Sequence, residues 1–371
     1  MRIGVEGRTL QGRRYGVARY LLNLLRNIVE IDTVNDYIIY FSEPIEPLGF
    51  TSECITEKLV EGGPSIAWRH LRLPRAMKSD AVDLHFSPSY FLPLYEVCPS
   101  VVVVHDLTFR AHPEWFARDW RMRFDDLFWR KVRHAERIIT VSEYSKSDIV
   151  RLLEVEPDRV TAIPEAADDQ FRPVDDRAML DDVRARYGLP PGFVFTVGAI
   201  HSRRNLERLI IALGQARDAT GIDPFLLIMG TPAPFSPPVD IAGTAARCGL
   251  SDRVKHVEYV SEDDLLLLYN ACGLFAYPSL YEGFGLPVIE AMACGAPVAC
   301  SNVTSIPEVA GGAALYFDPE KTEEISEAIA SALTDDRLRD RLRQAGIARA
   351  ATFSWRRTAA ETLDVFNEVL R

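Results

Sequence analysis

The sequence lacks the features that mark several classes of protein. It has no run of about eighteen apolar residues, so no segment predicts a transmembrane helix. Its six cysteines lack the close spacing of a metal site. Lysine and arginine number 42 against 53 for aspartate and glutamate. The formal charge of -11 argues against nucleic acid as a partner, because phosphate backbones are bound by clustered basic surfaces. The composition is typical of a packed globular enzyme.

The N-terminal segment lacks two further signatures. It enters a strand at once, without the regions of a signal peptide, which favours a cytoplasmic protein. Apolar residues surround Cys272, Cys294 and Cys300, so we expect buried free thiols and a reducing compartment. The first glycines do not match the dinucleotide fingerprint G-x-G-x-x-G, which disfavours a nicotinamide enzyme. These glycines are Gly4, Gly7, Gly12 and Gly16.

The length of the chain predicts two domains, because a single core rarely extends beyond about 250 to 300 residues. Short apolar runs alternate with helical patterns in both halves. This alternation indicates an α/β protein with two doubly wound, parallel-sheet domains. The principal predicted strands are residues 2–6, 37–41, 82–87, 100–106, 138–142, 193–197, 225–230, 254–257, 273–278, 297–300 and 314–317.

The most informative stretch is 277–297, where Glu282 and Glu290 flank Gly-Phe-Gly-Leu-Pro. The apolar run before it predicts a strand, and Pro287 begins a predicted helix that stops at Gly295. A helix start with free amides attracts phosphate, and carboxylates accept hydrogen bonds from diols. An isolated glutamate at such a place is most often a helix cap. Two glutamates in this layout favour a nucleotide-sugar site.

This stretch resembles the E-x7-E signature of the retaining glycosyltransferases of family 4. That family has the GT-B fold, in which two Rossmann-like domains face a central cleft. The resemblance covers nearly the whole chain and is most specific from 194 to 318. It implies that Glu282 contacts the donor hexose and that Glu290 binds the ribose hydroxyls. It also implies donor binding at the helix start, by Gly285, Leu286 and Pro287.

Other positions match elements of the same family. His105 ends a buried parallel strand in a His-Asp-Leu element, whose histidine contacts the donor sugar. Arg204, with Arg203 beside it, takes the place of the lysine that neutralises the donor diphosphate, and arginine binds phosphate bidentately. Gly16 fits a small residue near the donor phosphates and the acceptor. Glu165 stands where family members often have asparagine. Without the resemblance, a lone histidine is most often structural and an arginine pair is most often solvated.

The resemblance also divides the chain into parts. Residues 1–170 are expected to form an N-terminal acceptor-binding domain, and residues 171–352 a C-terminal nucleotide-sugar-binding domain. Residues 353–371 are expected to form a helix that crosses back to the first domain. The charged, proline-containing segment 164–177 predicts the hinge.

A helix is predicted over 114–137, a segment rich in aromatic and basic residues. The simplest interpretation is that the apolar stripe of this helix packs into the hydrophobic core and that its arginines lie on the solvent-exposed face. The alternative is that residues 115–133 form an interfacial surface for a lipid-linked acceptor. In that case the cytoplasmic protein would also bind peripherally to the inner face of the membrane.

Together, these features and the resemblance predict a retaining hexosyltransferase. Since no covalent nucleophile is evident, we expect the diphosphate to leave and the acceptor to attack on the same face of the sugar. Similarity to mannosyltransferases of bacterial polysaccharide assembly favours GDP-mannose as donor and a glycan or polyprenyl-linked acceptor. No Asp-x-Asp is placed to hold a metal, so neither metal nor cofactor is expected. The alternatives are a sugar-nucleotide epimerase of the same fold and a catalytically silent nucleotide-sugar-binding protein.

Overall fold

The structure, a computed structural model, describes residues 1–12, 16–62, 64–117 and 126–371. These residues form two compact units. The first unit holds the described residues of Met1–Leu107, Met122–Glu165 and Ser354–Arg371, and the second those of Thr108–Arg121 and Ala166–Phe353. The first unit thus returns at Ser354 after its break at Glu165, and the described segment 108–117 groups with the second unit.

The first unit is built on a parallel sheet, which has seven strands among the described residues. The strands are β1 Arg2–Glu6, β2 Asp36–Phe41, β3 Ile55–Leu59, β4 Leu84–Ser87, β5 Ser100–Val103, β6 Arg137–Thr140 and β7 Val160–Ala162. Their order is β3-β2-β1-β4-β5-β6-β7. Ile3 of β1 lies opposite Tyr37 of β2 and Leu84 of β4. The central strands β4 and β5 are buried throughout, as expected when helices cover both faces of a parallel sheet.

The second unit repeats this plan with six parallel strands in the part of the chain that the structure describes. The strands are β8 Val194–Val197, β9 Leu226–Met229, β10 Val254–Val257, β11 Leu274–Tyr277, β12 Val298–Ser301 and β13 Leu315–Phe317. Their order is β10-β9-β8-β11-β12-β13. Both sheets have a doubly wound order, so the predicted Rossmann-like architecture is confirmed.

Helices connect the strands of both units. The α-helices span Val17–Ile31, Ser65–Ala67, Leu73–Ser79, Thr108–Ala111, Asp126–His134, Glu143–Leu153, Arg177–Tyr187, Leu206–Thr220, Ile241–Arg247, Glu262–Ala271, Leu286–Ala293, Ile306–Ala310, Thr322–Thr334, Asp336–Ala350 and Trp355–Val369. In the first unit the last helix packs against Val17–Ile31. Its Phe366 meets the ring of Phe86 beneath it, with 5.1 Å between the ring centroids. No described helix is both long and apolar enough to cross a membrane.

The helix predicted over 114–137 is wrong at its start. Residues Pro113–Trp115 form a 3-10 turn and Phe116 is extended, whereas the described α-helix spans Asp126–His134. Phe116 packs on Phe235, with centroids 5.8 Å apart, and the N–H of Ala117 donates to the carbonyl of Phe235 at 2.8 Å. These tertiary contacts outweigh the local helical periodicity. The intervening part of the prediction, 118–125, lies outside the described residues.

The aromatic side chains described after that gap belong to the core of the first unit. Trp129 and Val132 are buried in a cluster with Leu107 and Ile138, and Phe128 packs against this cluster. The core interpretation is therefore correct for these side chains.

The six cysteines are free thiols. Cys272, Cys294 and Cys300 are buried in the second unit, as predicted. Burial raises the pKa of the Cys272 thiol to about 12 and also raises the pKa values of the other two. The partly buried cysteines are Cys54, Cys98 and Cys248.

Candidate functional site

The predicted donor-binding residues of the second unit lie where its sheet changes winding direction. Strands β8 and β11 pair at the centre, with β9 and β10 on one side and β12 and β13 on the other. Doubly wound sheets bind ligands at this switch point, outside the carboxyl ends of the strands. Arg203 and Arg204 follow β8, and Glu282 follows β11. The fold therefore brings these three side chains to one place.

Arg204 and Glu282 form a buried ion pair, with 2.6 Å between Nη1 and Oε1. Their side chains are only 12% and 7% exposed. The same nitrogen donates to the hydroxyl of Tyr277 and, at 3.4 Å, to that of Ser279. Burial raises the pKa of Tyr277 although Arg204 opposes the rise, so this hydroxyl is neutral at physiological pH. These charge-assisted contacts orient Arg204 before any ligand is bound.

Arg204 keeps donors for a ligand. Its Nε is buried, and no acceptor among the described residues meets Nε or Nη2. Gly198 gives the guanidinium its room, because a Cβ at this position would lie 2.7 Å from Nη2. Gly198 also has φ +134, a backbone conformation that favours glycine. A guanidinium with unused donors beside bare backbone is suited to a phosphate group.

Arg203 adds a second positive charge at the same point. Its Nη1 lies 4.0 Å from Oε2 of Glu282 and donates to Oγ1 of Thr108 at 3.2 Å. Its backbone N–H donates to Nδ1 of His201, which caps the 3-10 turn Ser202–Arg204. Both arginines therefore lie close to the carboxylate of Glu282.

The loop that carries Glu282 is held by the segment after β12. The hydroxyl of Ser305 lies 2.9 Å from the carbonyl oxygens of both Glu282 and Phe284. The N–H of Glu282 donates to Oγ1 of Thr304 at 3.2 Å. The carboxylate is thus presented from a backbone that is fixed at several points.

The helix Leu286–Ala293 begins directly after this loop. Gly285 precedes it with φ +109, and a Cβ there would lie 2.7 Å from Cδ1 of Ile306, so only glycine fits. Pro287 stands in the first turn, where a missing N–H costs no helical hydrogen bond. Leu286 and Pro287 are half-buried in a helix that is otherwise mostly buried. Leu286 and Pro287 are thus the accessible part of this helix start, whereas Gly285 is buried.

Glu290 lies in the same helix and is 3% exposed. Its Oε2 accepts a hydrogen bond of 2.9 Å from the hydroxyl of Tyr269, which is fully buried in the helix Glu262–Ala271. The hydroxyl of Tyr269 therefore helps to orient the carboxylate of Glu290.

Sequence reasoning missed Tyr269 and Tyr277. Both stand in apolar runs, where a tyrosine is read as core, and both rings are indeed buried. Their hydroxyl groups could have indicated a role in the site, because a buried tyrosine hydroxyl usually has a polar partner.

His105 follows β5 in the first unit, with its side chain 14% exposed. Its Nδ1 lies 3.4 Å from Oε1 of Glu165, and its Nε2 lies 3.0 Å from the carbonyl oxygen of Pro88. Tyr20 packs edge-on against the ring, at 4.9 Å between centroids. Burial lowers the pKa of His105, but the hydrogen bond and charge of Glu165, together with the carbonyl of Pro88 and the charge of Asp106, outweigh burial, so the pKa is raised overall. The sequence alone did not connect Glu165 with His105.

Gly16 precedes the helix Val17–Ile31 with φ +49, and its carbonyl accepts from the N–H of Tyr20 at 3.0 Å. A Cβ at Gly16 would meet nothing within 4 Å, so backbone conformation rather than space favours glycine. The loop before it, 13–15, lies outside the described residues. Within the described residues of the whole chain, no group of three or more His, Cys, Asp or Glu is arranged to hold a metal ion.

Two family models match the chain. Residues 183–349 match the model of glycosyl transferases group 1, and residues 15–171 match that of glycosyltransferase family 4. The matched regions together span the loops that carry Gly16, His105, Arg204 and Glu282.

Similar proteins agree with these matches. The chain is 32% identical to O-antigen chain mannosyltransferase B of Escherichia coli, over 76% of this chain and 74% of that protein. It is 31% identical to the serotype-specific mannosyltransferase WbdA of the same organism, over 73% of this chain but only 34% of that protein. The fold is similar to that of HepE from Anabaena, solved in complex with UDP and glucose, with a TM-score of 0.75 and 17% identity over 99% of this chain and all of that one.

Proposed function

The chain belongs to the family 4 glycosyltransferases, and from this we propose that it transfers mannose from GDP-mannose, with retention of configuration, to a glycan or polyprenyl-linked glycan of a bacterial surface polysaccharide. The observation that carries the proposal is the Arg204–Glu282 pair at the switch point of the second unit. The mannose specificity draws its support from the two relatives named as mannosyltransferases. An epimerase or a silent binding protein is disfavoured, because these relatives are named as transferases.

In the proposed reaction, the second unit binds the donor through residues with separate tasks. The free donors of Arg204, assisted by Arg203, bind the diphosphate and stabilise the charge that develops on it as the sugar departs. The helix start at Gly285 adds its positive end to the same charge. Glu290, oriented by Tyr269, accepts from the ribose hydroxyls.

Glu282 has two tasks in this proposal. Its Oε1 holds Arg204 in place, while its carboxylate meets the hydroxyls of the mannose. Because no covalent nucleophile is assigned, we propose that the acceptor attacks from the face that the diphosphate leaves. Neither a metal nor a cofactor takes part, since the arginines supply the positive charge.

The first unit is proposed to meet the acceptor at an anionic membrane surface. Its exposed apolar side chains include Ile66 and Tyr95, which are 72% and 70% exposed. The N–H of Leu94, next to Tyr95, donates to Nδ1 of His70, and the carbonyl of Leu94 accepts from Lys131, so basic side chains lie close to this segment. Exposed apolar groups beside basic side chains are typical of a protein that rests on anionic lipid.

The donor is tested by thermal shift and calorimetry with GDP, UDP and dTDP. A ligand at a hundred times its Kd adds about 2.7 kcal/mol of stability, so the cognate nucleotide should stand out. We expect GDP to bind and GDP-mannose to be turned over. Stabilisation by UDP alone would contradict GDP-mannose as the donor and favour UDP-glucose, with which HepE was solved.

The membrane contact is tested with vesicles that contain anionic lipid. Affinity should fall as salt rises, because the basic side chains are screened. A variant with both Ile66 and Tyr95 changed to serine should bind more weakly, while Val34→Ser, another exposed apolar position of the first unit, should bind like the wild type. Absence of vesicle binding at low salt would contradict the proposal.

A further inference from the structure

Both ring nitrogens of His105 face oxygen atoms of the protein. Oε1 of Glu165 lies 3.4 Å from Nδ1, and the carbonyl oxygen of Pro88 lies 3.0 Å from Nε2. A neutral imidazole has one N–H and can satisfy only one acceptor, whereas an imidazolium has two and satisfies both. The geometry therefore favours the positively charged ring. It also leaves neither N–H for a hydroxyl of the substrate.

Glu165 needs this partner as much as the histidine does. It is 4% exposed, and a buried carboxylate is costly unless a charge and hydrogen bonds compensate for it. Within the described residues, His105 is its one cationic contact. The other titratable groups that act on the pair are Asp106, which favours the charged ring, and Tyr20, whose pKa burial raises so that it is neutral.

The backbone at Glu165 is anchored as well. The hydroxyl of Thr358, in the last helix, donates to the carbonyl of the preceding residue Pro164 at 2.7 Å. Trp355 of the same helix packs on Tyr20 at 5.9 Å, and Tyr20 packs on His105. The ring is thus held from three sides by elements that are distant in the chain.

We propose that Glu165 is a positioning residue, which holds the ring of His105 as a fixed imidazolium at the end of β5. In the transferase reaction, the ring then supplies a fixed positive charge, since both of its nitrogens already face oxygen atoms of the protein. This inference rests on the proposed reaction for its kinetic part. Its structural part stands without that reaction.

The first test is NMR of the full chain labelled with ¹⁵N-histidine, with the His105 signals assigned from a His105→Gln variant. In the wild type both ring nitrogens should keep protonated-type shifts to a higher pH than those of an ordinary histidine. In Glu165→Gln, which keeps size but removes charge, the pKa of His105 should fall by about one to three units. Glu165→Asp should restore part of that loss, and Glu156→Gln, an exposed carboxylate of the same unit, should change nothing. A wild-type His105 whose pKa is not raised, or an unchanged pKa in Glu165→Gln, would overturn the proposal.

The second test is the pH dependence of turnover of GDP-mannose. A raised pKa means that the charged form is complete below the ordinary histidine value and is lost as pH rises through the raised value. The alkaline limb of kcat should therefore move to lower pH in Glu165→Gln, with little change in KM for the donor. An unmoved limb, when NMR shows the altered ring, would refute the use of the charge. If GDP-mannose is not turned over at all, the proposed donor fails while the NMR result still decides the role of Glu165.

Discussion

Replacing Glu282 by alanine should separate nucleotide binding from sugar transfer. The change removes the carboxylate that Nη1 of Arg204 meets at 2.6 Å, and it leaves that arginine 12% exposed with only the hydroxyls of Tyr277 and Ser279. The arginine then has more donors for a diphosphate. GDP should bind Glu282→Ala at least as well as it binds the wild type, while transfer should fall at least about 100-fold, the scale for losing one positioned electrostatic group.

The cost to stability follows from the same geometry. Removing one partner of a buried pair leaves an uncompensated charge and costs about 3 to 5 kcal/mol. For a unit of about 150 to 250 residues, this corresponds to a fall in Tm of about 6 to 20 °C. Saturating GDP supplies a new anion to Arg204 and should recover much of that loss. Glu282→Gln keeps an acceptor oxygen, so its Tm should fall less than that of Glu282→Ala.

Calorimetry with GDP, thermal shift with and without GDP, and a transfer assay measure these effects together. Glu320→Ala, an exposed carboxylate of the same unit, is the matched control and should behave like the wild type. Near wild-type transfer by a folded Glu282→Ala would refute its contact with the sugar. Loss of GDP binding in the folded variant would instead make Glu282 a donor anchor.

Three further predictions concern the same unit. Arg204→Ala should weaken GDP far more than guanosine in calorimetry, because the lost contact is to phosphate; equal losses, or a similar loss in Arg247→Ala, an exposed arginine of the same unit, would contradict this. Glu290→Ala should weaken GDP by about 1.5 to 3 kcal/mol, as expected for a lost charge-assisted hydrogen bond, and unchanged affinity would remove its ribose role. Gly198→Ala should displace the Arg204 guanidinium and lower GDP affinity at least tenfold in a folded protein, and unchanged affinity would show that the guanidinium needs no such room.

The parts that the sequence predicted well depend on short-range patterns. Buried apolar runs located β8 and β11, and residues directly after such strands share one edge of a parallel sheet, so Arg204 and Glu282 could be placed together. The contact between His105 and Glu165 joins segments that are distant in the chain, and the local sequence of neither segment predicts it. The helix predicted from residue 114 failed for a similar reason, because Phe235 decides the conformation of Phe116 and lies far along the sequence.

The positions of the cysteines allow unfolding of each unit to be measured by thiol alkylation. Cys272, Cys294 and Cys300 lie inside the second unit, where burial suppresses the reactive thiolate as well as access of reagent. Alkylation of these three positions in a brief pulse therefore counts the molecules in which that unit has opened. Cys54 and Cys98, partly buried in the first unit, record access there in the same sample. Mass spectrometry of the labelled peptides would thus follow the stability of each unit separately, without an engineered probe.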